Sequence, residues 1–121
     1  MPKEFSRTER LGEQLQRELA ELIRDELKDP RLGLVTVTAV EISRDLSHAK
    51  VFVTEMLDGK RQESIKALRS SAGFLRREIG RRLSVRMIPE LHFHYDESVE
   101  EGARMDRLID QAIASDRHED D

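Results

Sequence analysis

Residues 69–83 read RSSAGFLRREIGRRL, and they hold the junction on which the topology turns. Leu75, Ile79 and Leu83 recur at steps of four and share one face of a helix. Ser70-Ser71-Ala72-Gly73 interrupts the pattern, and Ile65 and Leu68 anchor a second helical segment before it. Two helices therefore meet near Gly73. If strands flank this pair, the crossover is long enough to lay the later strand parallel to an earlier one.

Strands do flank it. On the N-terminal side, Asp58-Gly59 is a turn signal. Residues 34–42, LVTVTAVEI, and 49–54, AKVFVT, are rich in β-branched types, with the polar SRDLSH between them. This predicts a hairpin with a longer loop. Ala49, Val51 and Val53 alternate with Lys50, Phe52 and Thr54, so one face packs on helices and Lys50 and Thr54 lie on the other. On the C-terminal side, Pro89 marks a boundary and residues 90–95, ELHFHY, alternate as a third strand.

The first element is a long helix. Ser6 and Glu9 form a capping-box pair. Leu11, Leu15, Leu19, Leu22, Ile23 and Leu27 make one apolar stripe, and Asp29-Pro30 is expected to end the helix. A last helix is predicted from Ser98, offering Val99, Met105, Leu108, Ile109, Ala112 and Ile113. Residues 115–121, SDRHEDD, hold no apolar anchor and are expected to form a disordered acidic tail behind a single domain of residues 1–114. The predicted order is α-β-β-α-α-β-α. It is an α+β domain with a three-stranded mixed sheet and helices on one face.

Composition narrows the function. The chain of 121 residues has room for one modest core. It has no cysteine, hence no disulfide framework and no thiolate chemistry. No apolar run approaches the roughly 20 residues that span a bilayer, and MPKEFSRTER lacks a signal-peptide core. A cytoplasmic location is expected. Ser43, Asp45 and His48 share one loop, which suits turn chemistry rather than a catalytic triad. His92 and His94 lie two apart on one side of a strand, and a zinc site there would need further ligands. No phosphate-binding glycine loop is present. Neither an enzyme nor a bound cofactor or metal is expected.

The charge pattern points elsewhere. The net charge is −4, yet residues 60–86 carry 9 basic and 2 acidic groups, or +7. Residues 96–121 carry 3 basic and 10 acidic groups, or −7. Screening over ~8 Å keeps such blocks local, so a basic face can meet a polyanion despite the negative total. Arg69, Arg76, Arg77, Arg81 and Arg82 flank the junction, where glycine permits close approach and a helix N-terminus offers N–H groups to phosphate. Arginine also suits bidentate phosphate contact. Gly80 weakens its helix by about 1 kcal/mol unless it packs on something. With four Phe, one Tyr and no Trp, a stacking platform for single strands is not expected, and folded RNA read by phosphate and shape is the better partner. The alternative is a protein-interaction module that uses the acidic C-terminal helix.

Longer stretches then become specific. They are Lys28-Asp-Pro-Arg-Leu-Gly33, Ser43-Arg-Asp-Leu-Ser-His-Ala-Lys-Val-Phe-Val53, Ser71-Ala-Gly-Phe-Leu-Arg76, Arg86-Met-Ile-Pro-Glu-Leu-His-Phe-His-Tyr-Asp96 and Glu101-Gly102. In this order, over about residues 3–113, the chain resembles the ribosome-binding factor A family. The resemblance implies a type II KH-like fold. Where most KH domains clamp nucleic acid with a GXXG loop, this family has an interhelical kink written Ala-x-Gly. Here it reads Ser71-Ala72-Gly73, with serine for the alanine. The resemblance further implies a non-enzymatic monomer that binds the small (30S) ribosomal subunit and its 16S rRNA. It would act in late maturation, including at low temperature, with a ribosome-dependent GTPase linked to its release. The RNA-binding candidates, chosen by charge and nearness to the kink, are Lys60, Arg61, Lys66, Arg69, Ser71, Ala72, Gly73, Arg76, Arg77, Arg81, Arg82 and Arg86.

Overall fold

The computed structural model describes residues 7–57 and 59–98. The Ser6 cap, the C-terminal helix, the acidic tail and the outer domain limits lie outside them. The elements are α1 (Arg7–Asp25), β1 (Val35–Ile42), β2 (His48–Glu55), α2 (Arg61–Ser70), α3 (Ala72–Arg82) and β3 (Glu90–Tyr95). The sheet order is β1-β2-β3. β1 pairs antiparallel with β2, and β3 pairs parallel with β2 in the register His48↔Glu90 to Val53↔Tyr95. The α2–α3 crossover thus makes the parallel pairing that its length allows.

One core holds these elements together. Leu15, Leu19, Leu22 and Ile23 of α1 pack with Val37, Ala49, Val51 and Val53 of the hairpin. Ile65, Leu68, Leu75 and Ile79 of the helical pair and Leu91 and Phe93 of β3 complete it. Each fully buried leucine or isoleucine contributes about 1.5–3 kcal/mol relative to exposure. Among the described residues, no helix is long and apolar enough to cross a membrane.

Two local features depart from expectation. α1 ends at Asp25, four residues before Asp29. The N–H groups of Glu26 and Leu27 both donate to the Leu22 carbonyl, at 2.8 and 3.1 Å, which closes the helix early and lets Leu27 fold onto the core. Asp29 serves the following turn instead, accepting from the N–H and guanidinium of Arg31. The Arg31 guanidinium, then its N–H, holds the Asp29 carboxyl at about 2. The second departure is the helical junction. The turn falls on Ser71 and not on Gly73, which lies inside the first turn of α3. Nothing comes within 4 Å of a Cβ placed on Gly73, and its φ is not in the left-handed region.

Sequence patterns also missed polar ties between the elements. Thr38 sits at a β-bulge where the register shifts between Val37 and Ala39. Gln16 of α1 donates to the carbonyls of Val37 and Thr38, both at 3.2 Å. Near the end of β2, burial pushes the Glu55 carboxyl up. Hydrogen bonds from the Ser64 hydroxyl and from the N–H groups of Leu57, Leu34 and Gly33 outweigh that and leave it below the ordinary range. Ser64 is itself buried, and its Oγ also accepts from the Gly33 N–H at 3.0 Å.

Candidate nucleic-acid interface

The helical pair presents its cations in three environments. Arg69 and Arg76 reach back to the chain around β3. Arg69 donates through Nε and Nη2 to the Phe93 carbonyl, at 3.2 and 3.0 Å. Arg76 does the same to the Ile88 carbonyl, at 3.1 and 2.8 Å. A carbonyl is neutral, so each guanidinium keeps its full charge and three of its five N–H donors.

Arg61 and Arg82 face carboxylates. Arg61 pairs with Glu97 and lies 3.6 Å from the ring centroid of Tyr95, a cation–π contact. Arg82 bridges Glu18 and Glu21 of α1 at 3.0 and 3.2 Å, with its side chain about one-third exposed. The Glu18 carboxylate, then that of Glu21, pushes the Arg82 guanidinium further toward its charged form. These two arginines fasten elements together.

The remaining cations face outward. Lys66, Arg77 and Arg86 are exposed and have no ion-pair or hydrogen-bond partner among the described residues. Arg81 is 76% exposed and, among the described residues, meets only Glu78, at 3.2 Å, one turn back. Lys60 occupies the N-cap position of α2 without a side-chain capping bond and stands 3.5 Å from Glu63. Such exposed pairs are worth about 0–1 kcal/mol, so a phosphate can displace the carboxylate.

Ser71 and Ala72 do not present the open helix end that the sequence suggested. Junction N–H groups donate to the carbonyls of Ala67, Leu68 and Arg69, and Leu75 N–H to that of Ser71. The helices run almost into each other, so α2 absorbs donors that would otherwise meet a phosphate. Gly80 also has a neighbour, because a Cβ there would meet Ile88 Cγ1 at an ordinary 3.6 Å.

The sites fall into separate hollows. Arg61, Lys66 and Arg69 line one of about 330 Å³ with Tyr95. Arg86 lines another of about 550 Å³ beside the start of α1, with Arg7, Leu11 and Met87. A groove of about 690 Å³ joins Arg69 and Ala72 to Lys50, His48, His92 and His94 across β3. The charge count over residues 60–86 overlooked this second set. Strand alternation already placed Lys50 on the open face, but only the β2–β3 register brings it near Arg69. Burial, then the charges of Arg69 and Lys50, pushes His94 toward its neutral form. The Ser43-Asp45-His48 loop holds a turn: Asp45 accepts from the hydroxyls of Ser43 and Ser47, each at 2.7 Å.

The comparisons with known proteins agree with this architecture. The family model described as ribosome-binding factor A matches residues 7–109. Ribosome-binding factor A of Pseudomonas putida is 58% identical over 124 residues, covering 99% of this chain and 94% of that protein. The crystal structure of ribosome-binding factor A from Thermus thermophilus superposes with a TM-score of 0.66 at 36% identity, covering 73% of this chain and 93% of that one. A Thermus thermophilus ribosome-binding factor A homology model, fitted into a cryo-EM map of its complex with the 30S subunit, matches with a TM-score of 0.61 at 36% identity, covering 71% and 91%. The match of one family model to most of the chain, in an α-β-β-α-α-β order with a mixed sheet, places this chain in the ribosome-binding factor A family.

Proposed function

We propose that this chain binds the 30S ribosomal subunit through its 16S rRNA and assists late maturation of the subunit, including at low temperature, without catalysing a reaction. The observation that carries this reading is the relative of the same fold, 36% identical, that was fitted into the map of a 30S complex. The basic surface supports it. Lys66, Arg77, Arg81 and Arg86 are exposed, and Arg69 and Arg76 keep their charge while bound to carbonyls. In this reading the outward cations contact phosphates, with Lys60, Arg69 and Arg76 extending the field. Arg61 and Arg82 shape the surface from beneath. Ser71, Ala72 and Gly73 offer a small-residue saddle where an RNA backbone comes close. The protein works as a cytoplasmic monomer, with a ribosome-dependent GTPase linked to its release.

Charge reversal tests this reading. The double variant Arg77→Glu, Arg81→Glu changes two exposed side chains and leaves the core untouched. It is expected to fold normally and to lose co-sedimentation with isolated 30S subunits. A folded variant that co-sediments like the unaltered protein would sink the assignment.

A further inference from the structure

We propose that His48, Glu90 and His92 form a binding site for a divalent transition metal of the zinc class, on the sheet face turned away from α1, α2 and α3. His48 begins β2 and Glu90 begins β3, and the two stand opposite each other in the parallel register. His92 stands two residues beyond Glu90 and so emerges on the same face. Leu91 and Phe93 alternate with them and point into the core, which fixes the side from which the three ligands project.

One ligand atom from each of the three residues lies within 4.8 Å of the other two. His48 Nδ1 and His92 Nε2 share a hydrogen bond at 3.0 Å, one ring donating to the other, and an ion entering between them takes the place of that proton. In a tetrahedral zinc site with Zn–N distances near 2.0–2.1 Å, two nitrogens stand about 3.3 Å apart. Parting the rings by a few tenths of an ångström therefore makes room for an ion. Two imidazoles and one carboxylate suit zinc, copper or nickel, whereas magnesium and calcium demand oxygen ligands. Water completes the coordination on the solvent side.

The frame is rigid, as a site of this kind requires. The His48 N–H donates to Ser43 Oγ at 3.0 Å, and the Glu90 N–H to the Ser47 carbonyl at 2.8 Å. Both strand ends are thus pinned to the same hairpin loop. Lys50, opposite His92, opposes the ion with its charge and moderates its affinity. The sequence hinted at the pair His92 and His94, but the register couples His92 to His48 instead.

The site stands independently of RNA binding and is tested without RNA. Calorimetric titration of the untagged full chain with ZnCl2 at pH 7.5 is expected to show one saturable site. His48→Ala and His92→Ala should each weaken it by about 10–100-fold, while circular dichroism stays unchanged. His118→Ala should bind as the unaltered chain does, and MgCl2 should give no saturable heat. Absence of saturable zinc binding would overturn the proposal. So would unaltered affinity in both the His48 and His92 variants, or loss of binding in His118→Ala.

Discussion

Gly12 and Gly73 both sit in helices, and their surroundings give them opposite signs. A Cβ on Gly12 would lie 2.8 Å from the carbonyl oxygen of Val40, a backbone atom of β1 that cannot swing away. Gly12 thus sets how closely α1 lies on the sheet. Alanine there gains about 1 kcal/mol of helix propensity but forces helix and strand apart at about 1–3 kcal/mol. Gly12→Ala is therefore expected to lower the chemical-denaturation midpoint. Gly73 meets nothing within 4 Å and has a helix-compatible backbone. Gly73→Ala is expected to raise the midpoint, by up to about 1 kcal/mol in stability. If that more stable variant binds 30S subunits less well, the glycine serves the approach of a partner and not the fold.

At the scale of elements, the β1–β2 hairpin turn has its own pH signature. Leu46 adopts φ 63°, a left-handed conformation that a branched side chain resists, and Asp45 holds the turn around it. The Ser47 hydroxyl, then the Ser43 hydroxyl and the Ser47 N–H, holds the Asp45 carboxyl at about 2, below its ordinary 3.8. A depressed carboxyl stabilises the fold in its ionised form. That contribution is complete above pH 3.8 and fades as pH falls through about 2. An NMR titration of the side-chain carboxyl carbons should place the Asp45 midpoint near 2, and a midpoint near 3.8 would show that the turn does not hold it. The elements themselves were legible in sequence because buried stripes repeat at fixed steps, as Leu75 and Ile79 do. Their ends were less so. Pro30 restrains only the residue before it, and nothing in residues 26–28 announces that Leu22 will take two donors. Glycine marks the region of the helical junction, but helical backbone suits glycine too, so the break could fall on Ser71 instead.

Over the whole molecule, charge along the chain revealed a basic region but not which of its members are committed to the fold. Arg69 and Arg76 meet carbonyls 24 and 12 residues away, partners that no local pattern names. The His48–His92 pairing likewise needs the register of β2 against β3. If about six cations reach phosphates, affinity for 30S subunits should fall by about a thousandfold between 50 and 200 mM salt. A flat salt response in a filter-binding assay would place recognition elsewhere. The Arg69 contact has one more consequence, for the company the sheet keeps. Glu90 and Asp96 donate toward β2, so the odd-numbered residues of β3 turn their backbone groups away from it. Among the described residues no strand pairs with that row; Phe93 stands in its middle, and its acceptor is taken by a cation. A strand from another molecule that tried to extend the sheet would find the central rung missing and a charge in its place, a built-in guard against aggregation in a crowded cell.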